Sequence, residues 1–212
     1  MQYVVGETNF FGYQFFVNEN TLIPRPETEE LVEWVLQDFL TDEKPKKVLD
    51  IGTGSGCIAI TLKKQKPTWN ITAIDISQKA LEIAKENATA LNADVNFIWF
   101  DLLSKNYELL EKYDIIVSNP PYIKESEKKL MNNSVIDLEP NSALFVNDEK
   151  PLIFYEEIIR LAKNKLHSDG KIYVEINQYL AQETKELFEQ NFAEVELKKD
   201  ISNNYRMIKA SF

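Results

Sequence analysis

Apolar positions recur along this chain in two rhythms. After Pro24 and Pro26 break the backbone, Leu31, Trp34, Val35 and Phe39 return at helical spacing, predicting a helix at about 26–40. Glu27, Glu29 and Glu30 fall in its first turns, where negative charge meets the positive helix end. From residue 47 the rhythm shortens. Residues 47–51 read as an apolar strand, 52–56 as a tight loop and 57–64 as a helix. Strands follow at 70–74, 95–99, 114–118 and 171–176. Ser77 is a good N-cap for a helix carrying Leu81, Ala84, Ala88 and Leu91 on one face. Further helices are predicted at roughly 150–166 and 178–190.

Short apolar strands alternating with helices predict a parallel α/β sheet covered on both faces. The end of the chain differs. Residues 193–198 and 205–211 both read as strands, and the gap between them holds no crossover helix, so they must form an antiparallel hairpin. The expected fold is a mixed, Rossmann-like sheet of seven strands with a C-terminal antiparallel hairpin. Residues 1–24 are aromatic and turn-rich. Residues 13–17 suit a strand, and 17–20 are expected to close a hairpin with the residues before it. Such a segment is too small to stand alone, so its aromatics must pack on the main domain, 25–212. Residues 123–148 lack clear periodicity, which suggests a lid or binding loop.

Composition narrows the function. The chain has 212 residues, with 24 basic and 34 acidic side chains and a net charge of −10. Backbone binding of nucleic acid wants clustered positive charge, so a broad surface of that kind is not expected. Cys57 is the single cysteine and His167 the single histidine. An intramolecular disulfide and a cysteine-based zinc cluster are therefore excluded, and no metal site is expected. No stretch approaches the apolar length of a membrane span, and the first residues lack the basic and long apolar blocks of a signal peptide. A cytoplasmic protein with no membrane partner is the expectation.

Two segments carry chemistry. In the first, Val48-Leu49-Asp50-Ile51-Gly52-Thr53-Gly54-Ser55-Gly56-Cys57 joins a strand to a helix through three alternate glycines. The spacing is G-x-G-x-G, not the dinucleotide G-x-G-x-x-G, and no Walker lysine follows. Asp75 ends the next strand, 23 residues after Gly52, where a carboxylate can accept both hydroxyls of a ribose. Loop and acid together fit a nucleoside ligand without a diphosphate. The plainer alternatives are a glycine turn that closes a βα unit and an aspartate that starts a helix. Cys57, opening an apolar helix face, reads as a small core residue rather than a nucleophile.

In the second segment the fourth sheet strand runs directly into Asn119-Pro120-Pro121-Tyr122-Ile123. Ligands of open α/β sheets bind beyond the C-terminal strand ends, where these residues must lie. The prolines have fixed φ and no N–H, so the loop is stiff and presents carbonyl acceptors. Asn119 adds a side-chain carbonyl and Tyr122 a ring face. The set suits a planar NH₂ group, whose delocalised lone pair makes it a poor nucleophile until acceptors orient it. The plainer alternative is a rigid loop with an Asn cap and a surface tyrosine.

With both segments in hand, the chain resembles class I S-adenosylmethionine-dependent methyltransferases. More closely it is similar to the N5-glutamine methyltransferases that modify peptide-chain release factors. Three blocks carry the resemblance: Leu22-Ile23-Pro24-Arg25-Pro26-Glu27-Thr28-Glu29, Asp50 through Cys57, and Ser118 through Ile123. Glu139-Pro140 with Ala143-Leu144, and Asp200 with Arg206, also match. The resemblance implies that Gly52, Thr53, Gly54, Ser55 and Gly56 wrap the methionine end of S-adenosylmethionine, that Asp75 holds its ribose, and that Asp101 and Leu102 line the adenine site. It also implies that Asn119, Pro120, Pro121 and Tyr122 grip the glutamine amide, that Asn119 touches the cofactor as well, and that Arg25 organises the substrate pocket. The product would be S-adenosylhomocysteine. The implied partner is a release factor, with ribosome association and without direct nucleic-acid binding. The family usually has tryptophan at the position of Leu102, so stacking on adenine is expected to be weaker unless Phe100 or Leu103 compensates. Its members usually carry a helical N-terminal domain, and this chain starts just before the Leu22–Glu29 block.

Other residues have plainer expectations. His167 is read as a helix cap or surface group, and Lys124, Lys128 and Lys129 as solvated. Glu175 stands at a strand end, where a functional and a structural role are both open. A salt bridge to nearby glutamates is the alternative for Arg25. Two other functions stay open: N6-adenine methylation of DNA or RNA, which needs a flipped base, and cofactor binding without transfer.

Overall fold

The computed structural model describes residues 6–130 and 139–212. The described chain begins with a hairpin of β1 (Glu7–Phe10) and β2 (Tyr13–Phe16), followed by α1 (Pro26–Asp38). Then come β3 (Lys47–Ile51), α2 (Cys57–Gln65), β4 (Asn70–Asp75), α3 (Gln78–Ala90), β5 (Asn96–Trp99) and β6 (Tyr113–Ser118). A small parallel pair, β7 (Ile123–Lys124) and β8 (Phe145–Val146), brackets the one-turn helix α4 (Asn141–Leu144). The chain ends with α5 (Ile153–Lys165), β9 (Leu166–Glu175), α6 (Ala181–Glu189), β10 (Glu194–Lys199) and β11 (Tyr205–Ser211).

Seven strands form one sheet in the order β10-β11-β9-β6-β3-β4-β5. β9, β6, β3, β4 and β5 are mutually parallel, and β11 pairs antiparallel with both β9 and β10. This is the expected class I methyltransferase architecture. Successive side chains of a strand point to opposite faces. Leu49, Ile116 and Ile172 therefore join Ile158, Leu161 and Phe188 from α5 and α6. Their neighbours Val48, Ile115 and Tyr173 join Leu31, Trp34, Ile58 and Leu62 from α1 and α2. The near-continuous apolar strands follow from burial on both faces.

Four details depart from the sequence reading. The N-terminal hairpin turns at Phe11-Gly12, not at 17–20. Phe11 takes φ 52°, uncommon for a bulky residue, and its N–H is held by Glu29 Oε1 at 2.7 Å. β9 starts at Leu166 rather than 171, so His167 lies in a strand and caps no helix. Between 123 and 148 the chain forms β7, a 3-10 segment (Glu125–Leu130), α4 and β8, while residues 131–138 of the expected lid lie outside the described residues. Lys128 Nζ sits 4.2 Å from the centre of the Phe145 ring, a packed position rather than a purely solvated one.

The hairpin packs as its aromatics require. Phe10 and Phe15 are buried and meet edge to face, with ring centres 6.0 Å apart. The junction is polar as well. Asn87 of α3, fully buried, accepts from Phe16 N at 2.7 Å and donates to Phe16 O at 3.0 Å and to Ser55 O at 2.9 Å. One side chain thus ties the N-terminal hairpin to the glycine loop. We predict that Asn87→Ala, which strands these backbone groups, lowers stability by about 2–3 kcal/mol. Urea unfolding checks this, and an unchanged midpoint would show the tie to be dispensable.

Candidate active site

Parallel strands place their C-terminal ends on one edge. β3 pairs Ile51 with Ile74 of β4 on one side and with Ser118 of β6 on the other. The chain leaves β3 toward β4 and β5, then returns to β6 and β9 across it. The strand order reverses between β3 and β6, and open α/β sheets hold ligands at such a crevice. Gly52 and Asn119 are the residues that follow Ile51 and Ser118 there.

Backbone contacts shape the glycine loop. The N–H groups of Gly52 and Thr53 both donate to Ile74 O, at 2.9 and 3.0 Å. Asp75 Oδ2 accepts from Gly54 N at 2.9 Å, and Asp75 Oδ1 accepts from Ser77 N at 2.8 Å. Each carboxylate oxygen keeps a further acceptor site. Burial holds the Asp75 carboxyl above the usual range, against the pull of the Ser77, Gly54 and Ile76 N–H groups. Ser77 caps α3 as expected, its hydroxyl accepting from Ala80 N at 3.2 Å.

The three glycines have positive φ for different ends. A Cβ on Gly54 (φ +55°) would meet nothing within 4 Å, because that side opens on a cavity. A Cβ on Gly56 (φ +83°) would lie 2.8 Å from Ile60 Cδ1 and 3.2 Å from Ala84 Cβ, so this glycine lets α2 close on α3. Gly52, Gly54, Asp75, Leu102, Asn119, Pro120 and Pro121 all line that cavity of about 330 Å³, together with Phe100, Asp101 and Leu103. Thr53, Ser55 and Gly56 are not among its lining residues. Thr53 instead donates its hydroxyl to Asp50 Oδ2 at 2.6 Å. Asp50 is fully buried and its Oδ1 has no partner among the described residues. Burial, with Asp75 nearby, pushes the Asp50 carboxyl up to about 7. Burial and Asp50 push the neighbouring Cys57 thiol up to about 12, as suits a core residue. Asp101 caps the 3-10 turn Leu102–Ser104 by accepting from Leu103 N at 2.9 Å. Leu102 is buried in the wall, and Phe100 beside it stacks on Tyr107 with ring centres 6.4 Å apart.

A second cavity of about 290 Å³ lies against the first. Arg25, Asn119, Pro120, Tyr122, Glu175 and Arg206 are in its wall. Asn119 and Pro120 line both spaces. Asn119 Nδ2 donates to Thr28 Oγ1 at 3.0 Å, and Thr28 Oγ1 donates to Glu175 Oε2 at 2.7 Å. Tyr122 donates its hydroxyl to Glu175 Oε1 at 2.8 Å, and Tyr155 donates to the Glu175 backbone carbonyl at 3.1 Å. Burial raises the Glu175 carboxyl, while the bonds from Thr28 and Tyr122 and the charge of Arg206 act against it. Burial and Glu175 hold the Tyr122 phenol protonated, so it remains a donor. Arg25 Nη2 meets both oxygens of Glu139 at 2.7 Å. It therefore lines the cavity and also forms an ion pair, with a partner far along the chain rather than a glutamate of its own helix.

Thr28 and Glu139 carry weight that the sequence reading did not give them. Thr28 and Glu139 lie within or beside the resembling blocks, and that position was the available signal. Glu175, open between two roles, is the hub of the second cavity.

Known proteins resemble this chain in sequence and in fold. The profile of the Methyltransferase small domain family matches residues 32–152. The release factor glutamine methyltransferase of Flavobacterium psychrophilum is 53% identical over 215 residues, covering 100% of this chain and 75% of that protein. The enzyme of that name from Enterococcus faecalis is 43% identical, covering 97% of this chain and 73% of that protein. Among solved structures, a methyltransferase from Pyrococcus furiosus superposes with a TM-score of 0.66 at 18% identity, covering 94% of this chain and 89% of that one. The N-terminal domain of human METTL16 in complex with SAH gives 0.63 at 20%, covering 95% and 76%. Those two likenesses concern the fold. The sequence relatives go further: the chain belongs to the release factor glutamine methyltransferase family.

Proposed function

We propose that the two cavities hold the two partners of one reaction, transfer of a methyl group from S-adenosylmethionine to the N5 amide nitrogen of a glutamine in a peptide-chain release factor. The observation that carries this reading is that Asn119 and Pro120 line both spaces. A methyl donor in one and an amide in the other would meet at those residues.

The first cavity fits the cofactor. The open side of Gly54 leaves room for close backbone approach, Asp75 retains acceptor capacity for a ribose, and Phe100, Leu102 and Leu103 offer an apolar wall for a purine. Phe100 and Leu103 stand beside Leu102, the positions from which compensation would come. S-adenosylmethionine supplies an electrophilic methyl on a sulfonium. The protein's share is positioning and exclusion of water. Asn119 presents an amide whose NH₂ is engaged by Thr28, which leaves its carbonyl to accept from the substrate. Pro120 fixes the backbone carbonyls of the loop, and Tyr122, tied through its hydroxyl, offers its ring. Two acceptors on the N–H bonds of an amide favour the pyramidal nitrogen that attack needs. No strong base is needed first, since methylation itself acidifies the nitrogen.

The net charge of −10 fits a protein substrate better than a nucleic acid. Among the described residues no helix is long and apolar enough to cross a membrane. Encounter with the release factor on the ribosome, in the cytoplasm, belongs to the same reading. Incubation with labelled cofactor and a release factor, followed by mapping of the product, tests it. Label on any residue but glutamine, or on adenine in nucleic acid, would refute it.

Two substitutions separate the cavities. Asp75→Ala is predicted to weaken S-adenosylmethionine binding by about 2 kcal/mol, the scale of hydrogen bonds to a charged group. Calorimetric titration reads this directly, and an unchanged dissociation constant removes Asp75 from the site. Asn119→Ala is predicted to slow single-turnover methylation on the order of a hundredfold, the scale for deleting one preorganised group at a reacting centre. Cofactor affinity should fall far less, because the contribution of Asn119 grows toward the transition state. A near-wild-type rate would make Asn119 a structural cap on β6.

A further inference from the structure

The hydrogen bonds behind Asn119 have a direction, and the direction follows from counting protons. The Thr28 hydroxyl has one proton and two polar neighbours, Glu175 Oε2 at 2.7 Å and Asn119 at 3.0 Å. An ionised carboxylate can only accept, so the Thr28 proton goes to Glu175. The Thr28 oxygen is then left solely as an acceptor toward Asn119, and Asn119 must offer its NH₂. The side-chain carbonyl of Asn119 is thereby turned away from Thr28. Tyr122 loads the other oxygen of the same carboxylate at 2.8 Å. Thr28 and Glu175 are 2% and 1% exposed, so water does not compete at either. Burial raises the Glu175 carboxyl; the two hydroxyls that donate to it and the positive charge of Arg206, in the same cavity wall, act the other way and favour the ionised form.

We infer that Thr28 and Glu175 are positioning residues: the buried carboxylate sets the polarity of a two-bond relay that holds the Asn119 amide with its carbonyl toward the substrate, and the same carboxylate anchors the Tyr122 ring. An asparagine amide can flip by half a turn at no cost in shape. A flipped Asn119 would present two donors to the substrate NH₂, which is repulsive. The relay removes that state. Neither residue needs to touch substrate for this. The inference rests on the proposed role of the Asn119 carbonyl.

Four variants test it: Thr28→Val, Thr28→Ser, Glu175→Gln and Asn119→Ala. Each is assayed by single-turnover methylation of a glutamine-containing peptide at saturating S-adenosylmethionine, with cofactor affinity and thermal midpoint measured alongside. Valine keeps the shape of threonine but cannot accept from Asn119. T28V should therefore lower the rate at least about tenfold, from the stranded and reorientable amide, at unchanged cofactor affinity. T28S restores the hydroxyl and should recover most of the rate. E175Q must offer an NH₂ to one of the two hydroxyls. Where that hydroxyl is Thr28, its proton is freed to turn toward Asn119, so E175Q should be slowed by no more than T28V.

The controls separate the two ideas. If N119A is slow and T28V is not, the relay is overturned and the Asn119 reading stands. If N119A keeps its rate, both fall, since there is nothing left to position. Equal losses in T28V and T28S, or a T28V loss matched by lost cofactor binding, would mean that Thr28 serves packing alone and would also overturn the relay. Should T28V fail to fold, Thr28→Ala takes its place: T28A at wild-type rate overturns the relay, and a slow, folded T28A with an active T28S supports it.

Discussion

Val48 to Ile51 of β3 lie in parallel register with Ile115 to Ser118 of β6, and the site is built on that ladder. A parallel pair cannot be made by a hairpin, so the chain must leave and come back over a helical layer. Because β4 and β5 are added on the other side of β3 first, the return to β6 opens a crevice above the shared edge. Ser118 fastens that edge, donating its hydroxyl to Ile51 O at 2.8 Å in the last full pair before both chains turn away. One residue further on, Gly52 and Asn119 face the same opening. A slip of one residue in this register would swap inward and outward side chains on β6 and carry Asn119 off the crevice.

Burying acids beside such an opening is costly unless each finds a donor. The chain meets this in four ways. Asp75 takes two backbone N–H groups, Glu175 two hydroxyls, Glu139 a guanidinium and Asp50 one hydroxyl. Asp50 is the least provided for, with one oxygen lacking a partner among the described residues, and burial pushes its carboxyl up to about 7. Burial raises all four carboxyls, and in Asp75, Glu175 and Glu139 two or more donor contacts act against it.

Much of this was legible in the sequence. The strands at 47–51, 70–74 and 205–211, the glycine loop and the Asn-Pro-Pro-Tyr turn are local patterns, and they sit where spacing places them. What escaped the sequence depends on partners far along the chain. The turn at Phe11 needs Glu29 to hold an aromatic residue at φ 52°, which no propensity for that residue would suggest. The early start of β9 rests on pairing of Leu166 with Tyr113 and an irregular register after it. Thr28 sat inside a quoted block without a role, because its hydroxyl acquires one only when α1 meets β9 and the end of β6, 147 and 91 residues away.

The single thiol has a practical consequence. Cys57 is buried at the head of α2, and its proton is held up to about 12. Thiol reagents act on the thiolate and need access to it. For maleimide chemistry, then, the folded protein behaves as if it had no cysteine. A cysteine introduced at an exposed position such as Leu40 or Leu109 would be the one addressable group. Fluorophores or spin labels could be attached in pairs without first removing a native residue from the core.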